Sequence, residues 1–187
     1  MLPICTQRIL IRPLTLSDAE AVFAYRSDPA VTRYQMWRPS EIIDVQRFIR
    51  DQSGMIPGMP GIWFQMGIVL QGSAELVGDC GILVSMDDPA SAELGLTLRT
   101  DAQRKGYATE ALSALIEYCF VALHMSRVLA RVFSGNLRAM SLVEHSGFTF
   151  TGRISSKLID GTAGDDLFYI LEQRNWQAQS RIVTTPG

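Results

Sequence analysis

One stretch of the chain decides the fold. It begins with Ala92-Glu93-Leu94-Gly95-Leu96-Thr97-Leu98 and continues, after the turn at 99–102, with Gln103-Arg104-Lys105-Gly106-Tyr107-Ala108-Thr109-Glu110-Ala111-Leu112. The first part has the length and composition of a β-strand. The second opens the most regular helical pattern in the sequence, with apolar residues at the i, i+3, i+4, i+7 spacing from Ala108 to Phe120. A strand therefore leads through a short basic turn into a long amphipathic helix.

The turn before this helix has the features of an anion-binding site. Amides in the first turn of a helix have no partner within the helix, and the helix dipole adds partial positive charge, so a pyrophosphate fits there. Gly106 has no Cβ and lets the backbone approach a ligand closely, while Arg104 and Lys105 add positive charge. Ala108 keeps the next position small. An ordinary helix start with two solvated cations is the alternative, and these residues alone leave both open.

The segments on either side predict a mixed α/β or α+β domain. Strands are predicted at 9–11, 62–70, 75–86, 92–98, 127–133, 148–158 and 167–171, and helices at 18–26, 41–54, 108–120 and 137–145. Ser17-Asp18-Ala19-Glu20 has the pattern of a capping box at the first helix. Because the chain has 187 residues and no internal repeat or linker, we expect one domain at 1–177 and a polar, loose tail at 178–187.

Composition argues against several classes of function. The formal net charge is -2 and no block of like charge occurs, so nothing indicates binding to nucleic acid or an anionic membrane. Three widely spaced cysteines and two distant histidines suggest neither a disulfide framework nor a metal site. The start of the chain lacks the pattern of a signal peptide, and the longest apolar run, 118–123, is far shorter than a membrane span. We therefore expect a cytoplasmic protein without a metal.

These motifs resemble the GNAT superfamily of N-acetyltransferases. Residues 103–108, Gln-Arg-Lys-Gly-Tyr-Ala, match that family's Q/R-x-x-G-x-G/A coenzyme A motif, and residues 109–112 resemble its continuation. Other parts agree in order: a first strand and helix at 10–20, a fourth strand at 92–95, Asn136 followed by Gly147-Phe148, and an ending at 171–176. The resemblance covers nearly the whole chain. It is closest to the branch that includes the ribosomal-protein N-terminal acetyltransferases.

The resemblance implies a fold and a cofactor site. We expect a mostly antiparallel mixed sheet of six to seven strands flanked by about four helices, with the fourth and fifth strands splayed apart. Acetyl-coenzyme A is the implied co-substrate, with its pantetheine arm between the splayed strands, against the backbone of Leu96, Thr97 and Leu98 and near Asn136. The amides from Arg104 to Thr109 would hold the pyrophosphate. The candidate cofactor-binding residues of this turn are Gln103, Arg104, Lys105, Gly106, Tyr107, Ala108 and Thr109.

Glu93 is the candidate base. The resemblance implies direct attack of an amine on the thioester, and several family members carry a catalytic glutamate on this strand. Glu93 shares one strand face with Gly95 and Thr97. The alternative is a structural glutamate paired with backbone or with an arginine of a neighbouring strand. Arg131 stands on the next strand, where some peptide-acetylating relatives place a glutamate, so their acid–base scheme does not transfer directly.

The acid that protonates the leaving thiolate departs from the family pattern. Relatives often carry Ser three residues after the asparagine or Tyr seven residues after it, and here these positions are Ala139 and Val143, which cannot donate a proton. Ser141 lies between them on a different part of the helix surface and is interpreted as structural. Water is one remaining source, and two tyrosines are more remote ones, Tyr107 and Tyr169.

In this family the acceptor side is built from the segment between the first two helices and from the loop of the last strands. These segments contain the candidate substrate-binding residues Tyr34 and Trp37, an apolar loop at 54–61, and acids within 160–166. They suit a cationic amine with an apolar part, although the aromatic residues could equally complete the core. A protein or peptide N-terminus is our first expectation. The alternatives are a small-molecule amine (amino-acid derivative, polyamine or aminoglycoside) or a degenerate acyl-coenzyme A-binding module, as a monomer or homodimer.

Overall fold

The structure, a computed structural model, describes residues 2–183, with side chains through Ala178. The eight strands of this part of the chain are β1 Ile4–Cys5, β2 Ile9–Pro13, β3 Trp63–Leu70, β4 Leu76–Val84, β5 Ser91–Leu98, β6 Arg127–Phe133, β7 Thr149–Lys157 and β8 Ala163–Glu172. Its six α-helices are α1 Ala19–Arg26, α2 Pro29–Thr32, α3 Ile42–Asp51, α4 Tyr107–Glu117, α5 Leu137–His145 and α6 Gln173–Val183. A π-helical turn at Tyr118–Ala122 extends α4.

The strands form one mixed sheet that opens in the middle. Its order is β1-β2-β3-β4-β5-β6-β8-β7, and every neighbouring pair is antiparallel except β5 and β6. These two parallel strands pair only where Ser91–Glu93 faces Arg127–Leu129. Beyond Glu93 they separate, while each keeps its antiparallel neighbour on the outer side. This confirms the mixed, mostly antiparallel sheet with two splayed central strands, which are β5 and β6 in the observed numbering.

The counts differ slightly from those expected. The described residues form six α-helices rather than about four, because α2 and α6 were not predicted. The sheet has eight strands rather than six to seven, because Ile4 and Cys5 pair with Ile11 and Leu10 as an edge strand. Two residues are too short to carry an alternating pattern. Strand β8 also begins at Ala163, earlier than the expected residue 167, because glycine and aspartate residues at its start conceal the strand.

The first helix begins differently from the predicted capping box. A 3₁₀ turn at Leu16–Asp18 precedes α1, and its N-cap is Thr15 rather than Ser17. The Asp18 carboxylate accepts from the Thr15 amide at 2.7 Å and pairs with Arg12 at 2.8 Å. The Asp18 carboxylate thus makes the return contact to the amide of the N-cap residue Thr15. It takes the place of the predicted contact from Glu20 to the Ser17 amide.

Two apolar cores cover the two faces of the sheet. The larger lies beneath α4 and includes Ile11, Met66, Ile82 and Leu115, all almost fully buried. The smaller lies beneath α1 and α3, with Val22 and Val45 at its centre. Cys80 and Cys119 belong to the larger core, and burial raises the pKa of the Cys119 thiol to about 12, so this thiol is protonated at neutral pH.

Helix α6 follows β8 directly and packs Trp176 against Phe120, with ring centroids 5.3 Å apart. Its backbone is helical as far as Val183, and residues 184–187, the rest of the segment expected to be a loose tail, lie outside the described residues. Both the loose tail at 178–187 and the domain limits remain predictions. Within residues 2–183, no helix is long and apolar enough to cross a membrane.

Candidate active site

The opening between β5 and β6 places the predicted pantetheine-contacting backbone at a free strand edge. Leu96, Thr97 and Leu98 pair with β4 on one side and have left β6 on the other. Thr97 is buried on the same sheet face as Asp79, its register partner. The Leu98 carbonyl accepts a hydrogen bond from Gln103 Nε2 at 3.1 Å. The backbone polar groups along this edge can therefore contact an extended ligand, as those of a neighbouring strand would.

Gln103 connects the strand end to α5. Besides its bond to Leu98, it accepts from Arg138 Nη1 at 3.2 Å through Oε1. Its side chain thus ties β5 to the first turn of α5. The Gln103 side chain therefore holds the turn in place. Its backbone directly precedes the segment predicted to bind the pyrophosphate, which begins at Arg104.

The turn itself has an unusual backbone. Arg104 and Gly106 both have positive φ, 62° and 83°, and Gly106 is the N-cap of α4. The first helical hydrogen bond runs from the Glu110 amide to the Gly106 carbonyl at 3.1 Å. The amides of Tyr107, Ala108 and Thr109 precede that bond, and an anion at the helix start can accept from such amides. The chemistry of these donors fits a pyrophosphate.

Arg8 is a third cation at this turn, and sequence reasoning missed it. Its guanidinium donates from Nη1 to the Lys105 carbonyl at 2.9 Å and lies 4.9 Å from the centroid of the Tyr107 ring. Its Nε donates to Glu110 at 2.6 Å. Burial alone would raise the pKa of Glu110, but hydrogen bonds from Thr6 and Arg8 outweigh it and lower the pKa. A lone arginine near the start of β2 gives no local signal of this contact.

Gly106 offers a direct test of the pyrophosphate assignment. A Cβ at this position would come within 3.0 Å of Arg8 Nη2, and the positive φ costs a non-glycine residue about 1–2 kcal/mol. We expect Gly106→Ala to raise the KM for acetyl-coenzyme A at least about tenfold, because the backbone can no longer approach the ligand. Initial-rate kinetics with varied acetyl-coenzyme A would measure this.

Gly161→Ala is the matched control for Gly106→Ala. Gly161 has a φ of 85° in the β7–β8 loop, and a Cβ there meets no atom within 4 Å. It therefore carries the same kind of backbone strain without the coenzyme A contact. Equal KM values for acetyl-coenzyme A in the two variants would contradict the pyrophosphate assignment.

Glu93 lies where the two parallel strands part. It is the last β5 residue paired with β6, and its side chain is 29% exposed on the sheet face opposite α4. Burial raises the pKa of Glu93 above its usual value, Arg131 opposes this shift, and Asp166 adds to it. Arg131 Nε lies 3.6 Å from Glu93 Oε1, so the arginine partner of the structural alternative is also present. A half-buried carboxylate with a raised pKa is suited to taking up a proton.

The two positions where relatives carry the acid, and two nearby hydroxyl groups, have other surroundings than Glu93. Ala139 and Val143 pack toward the core, and Ser141 lies on the exposed side of α5 with its hydroxyl 3.3 Å from His145 Nδ1. Tyr169 is 1% exposed and donates to Glu144 at 3.0 Å. Ala139 and Val143 thus carry no proton donor, and the hydroxyl groups of Ser141 and Tyr169 already have partners in His145 and Glu144.

Asn136 caps α5 at the exit of β6. Its Oδ1 accepts from the Ala139 amide at 3.2 Å, so the side-chain NH₂ is the group that can donate to a ligand. Tyr34 lies next to it: its hydroxyl donates to the Gly135 carbonyl at 2.9 Å, and its ring stacks on Phe133 with centroids 5.9 Å apart. The segment after α2 is thereby fixed beside the strand opening.

Trp37 occupies a different environment. Its ring stacks on Phe48 with centroids 4.9 Å apart, and the Arg26 guanidinium lies 5.5 Å from it. Trp37 is half-buried and packs against the outside of the smaller core through these contacts, and its role as a substrate-binding residue stays a prediction. Trp63 of β3, which sequence reasoning missed, lies on the sheet face that carries Glu93, Gly81 and Gly95, called the open face below. Its signal was present: Trp63 and Gln65 alternate with the buried Phe64 and Met66.

No group of three or more His, Cys, Asp or Glu side chains placed to hold a metal ion occurs among the described residues. The acids of the last loop are spread out instead. Asp160 accepts from the Thr162 amide at 2.9 Å, Asp165 lies 3.6 Å from Arg153, and Asp166 is close enough to Glu93 to raise its pKa.

Known proteins resemble this chain in sequence and fold. Residues 8–149 match the family described as "Acetyltransferase (GNAT) domain". YoaA of Bacillus subtilis, an uncharacterized N-acetyltransferase, is 32% identical over 172 residues, which cover 90% of this chain and 96% of the relative. The spermidine N-acetyltransferase of Vibrio cholerae in complex with CoA and spermine has a TM-score of 0.79 at 16% identity, covering 92% and 99% of the two chains. A provisionally assigned ribosomal-protein-serine acetyltransferase from Vibrio cholerae has a TM-score of 0.76 at 22% identity, covering 91% and 97%.

The fold and these matches together define an acetyl-coenzyme A-dependent N-acetyltransferase. The chain belongs to the GNAT acetyltransferase family. This membership confirms the resemblance, the enzyme class and the fold expected from the sequence.

Proposed function

We propose that this chain acetylates the N-terminal amine of a protein or peptide, with Glu93 as the base. The observation that carries the proposal is the position of Glu93 at the point where β5 and β6 separate, half-buried and facing the open side of the sheet. A carboxylate there can take a proton from an ammonium group directly or through one water. Its raised pKa brings it closer to the working pH of such a base.

Two neighbouring segments present exposed apolar side chains, which favours an extended acceptor. Met36, after α2, is 71% exposed, and Ile154 and Ile159 of the β7–β8 hairpin are 65% and 56% exposed. The segments are neighbours: hydrogen bonds from Thr162 lower the pKa of Asp160 most, and the charges of Arg38 and Arg33 lower it further. Exposed apolar side chains on both segments suit the side chains that follow a peptide's first residue better than a small polar amine.

In the proposed mechanism this chain mainly binds and orients. Bound acetyl-coenzyme A supplies the thioester whose acetyl group is transferred. The amides from Arg104 to Thr109 hold the pyrophosphate, the Asn136 NH₂ contacts the pantetheine arm, and the backbone from Leu96 to Leu98 binds that arm and polarises the acetyl carbonyl. Glu93 accepts the proton of the incoming amine. As the N–C bond forms and the C–S bond breaks, the nitrogen loses its remaining extra proton and the departing thiolate gains one, relayed through water, since Ala139 and Val143 carry no donor.

The test is thiol release from acetyl-coenzyme A with four acceptors: a pentapeptide with a free N-terminal serine, an amino-acid amide, spermidine and an aminoglycoside. Saturable release with the peptide, and none with its N-acetylated form, is the expected result. If a small amine at equal concentration is acetylated faster than the peptide, that class of amine is the acceptor instead.

The second candidate function is a degenerate acyl-coenzyme A-binding module. It is favoured by one observation, the apolar residues Ala139 and Val143 at the two usual acid positions. Binding of coenzyme A by calorimetry without thiol release from any of the four acceptors would favour this alternative. Release with any of them would eliminate it.

A further inference from the structure

The Trp63 indole leans over two glycines, Gly81 and Gly95, on the sheet face that carries Glu93. Along the cross-strand row Gln65, Gly81 and Gly95 face one another on β3, β4 and β5. A Cβ at Gly95 would lie 3.4 Å from the edge of the Trp63 six-membered ring, and one at Gly81 would lie 3.0 Å from the same indole. The ring therefore reaches β5 just beyond Glu93, at the first residues without a β6 partner.

The backbone beneath Trp63 is held by a side chain instead of a strand. Strand β2 ends opposite Met66, so the β3 residues before Met66 have no partner on that side. Gln52, at the end of α3, takes that place: its Nε2 donates to the Trp63 carbonyl at 3.0 Å and its Oε1 accepts from the Gln65 amide at 2.8 Å. The backbone of Trp63 and Gln65 is thus held in place on this side as well, which a recognition surface requires.

A buried charge cluster orients the Gln65 side chain. Asp79 is 1% exposed; it accepts from Arg26 Nε at 2.9 Å and from the Tyr25 hydroxyl at 2.5 Å. Its Oδ1 also accepts from Gln65 Nε2 at 2.5 Å. A carboxylate can only accept, so the Gln65 NH₂ must point to it and the amide oxygen must point away. That oxygen lies over Gly81, on the space a Cβ would fill and beside the Trp63 ring.

We propose that Gln65 Oε1 and the Trp63 ring recognise the primary ammonium of the acceptor and deliver it to Glu93, with Asp79 setting the direction of the Gln65 amide. A fixed carbonyl oxygen and an aromatic face are two groups that bind an ammonium ion, and both lie on the same sheet face as the Glu93 carboxylate. Gln65 and Trp63 are therefore specificity-determining residues, and Asp79 is a positioning residue. This inference rests on the proposed function, since it concerns how the acceptor amine is bound.

The test compares two peptides that differ only in the ammonium group. A pentapeptide with a free N-terminal serine and its N-acetylated form are titrated by calorimetry into the full-length protein saturated with coenzyme A. We expect the wild type to bind the free amine at least about tenfold more tightly. Gln65→Met keeps the length of the side chain but has no amide oxygen, and it should bind the two peptides equally. The affinity for coenzyme A should change less than about twofold.

Gly81→Ala provides a second variant should Gln65→Met fold poorly. Its methyl group occupies the position of the Gln65 oxygen and must displace it, so the preference for the free amine should fall in the same way. Gln177→Met, on the exposed surface of α6, is the matched control and should keep the wild-type preference.

Two results would overturn the inference: a wild type that binds both peptides equally, or a Gln65→Met protein that keeps the preference for the free amine. A merely structural role for Gln65 would lower the melting temperature and weaken both peptides alike. Because the readout is binding, a protein that prefers the free amine but does not acetylate it would contradict the proposed function and leave this inference supported.

Discussion

Replacing Glu93 with glutamine is expected to lower kcat/KM at least about 100-fold, the lower end of what a positioned general base contributes. The amide keeps the size of the side chain but cannot accept the proton of the attacking amine. Burial raises the pKa of Glu93, so in the wild type the fraction of ionised carboxylate, and with it the rate, should fall as the pH drops through that raised pKa. The variant should lack this acid limb. Initial rates at saturating acetyl-coenzyme A between about pH 5 and 9 would measure both effects.

The matched control for Glu93→Gln is Glu20→Gln, since Glu20 is an exposed glutamate on α1, away from the strand opening. It should leave the rate and the pH profile unchanged. If Glu93→Gln also keeps the rate and the acid limb, Glu93 is the structural partner of Arg131 and another group accepts the proton. An unchanged affinity for coenzyme A in the variant would show that the loss concerns the chemical step.

Replacing Asp79 with alanine is expected to lower the free energy of unfolding by about 3–5 kcal/mol, because Arg26 would remain buried without its partner. Both side chains are inaccessible, Asp79 at 1% and Arg26 at 6% exposure. The loss is a large share of the roughly 5–15 kcal/mol that stabilises an ordinary domain. Urea unfolding, monitored by tryptophan fluorescence, would measure this loss. Trp37 is a suitable reporter because its ring lies 5.5 Å from the Arg26 guanidinium.

Two further variants separate a buried pair from a surface pair. Glu75→Ala breaks a surface ion pair in which Glu75 is 48% exposed and Arg99 is 31% exposed. It should lower the free energy of unfolding by less than about 1 kcal/mol, because solvent screens such pairs. Replacing Arg26 with Met and Asp79 with Leu together removes both charges and should recover much of the lost stability. A loss of less than about 1 kcal/mol in Asp79→Ala would mean that water reaches Arg26.

The buried cluster also joins stability to recognition. Asp79 holds α1 against β4 through Arg26 and Tyr25, and the same carboxylate turns the Gln65 amide toward the open face. A sequence shows Asp79 as a single acid within an apolar strand, which by itself suggests neither role. Its partners lie 14 residues away at Gln65 and 53 residues away at Arg26, so only packing brings them together.

Some features of this protein follow from the sequence by itself. The strand at Ser91–Leu98, the turn and the start of α4 are predictable because period, glycine placement and basic residues are all local signals within about twenty residues. The order of the seven longer strands and of α1, α3, α4 and α5 follows in the same way, whereas β1, α2 and α6 were not predicted. Where residues next to one another along the chain form the feature, as at Gly106, their chemistry can be inferred before any contact is known.

Tertiary structure alone decided which distant residues complete the site. Arg8 reaches the Lys105 carbonyl across 97 positions of sequence, and Trp63 reaches Gly95 across an intervening strand. It also decided that the Trp63 indole lies beside Gly95, on the sheet face that carries Glu93. The physical reason is register: a one-residue shift of a strand exchanges its two faces, and that alignment depends on all the neighbouring strands and helices at once.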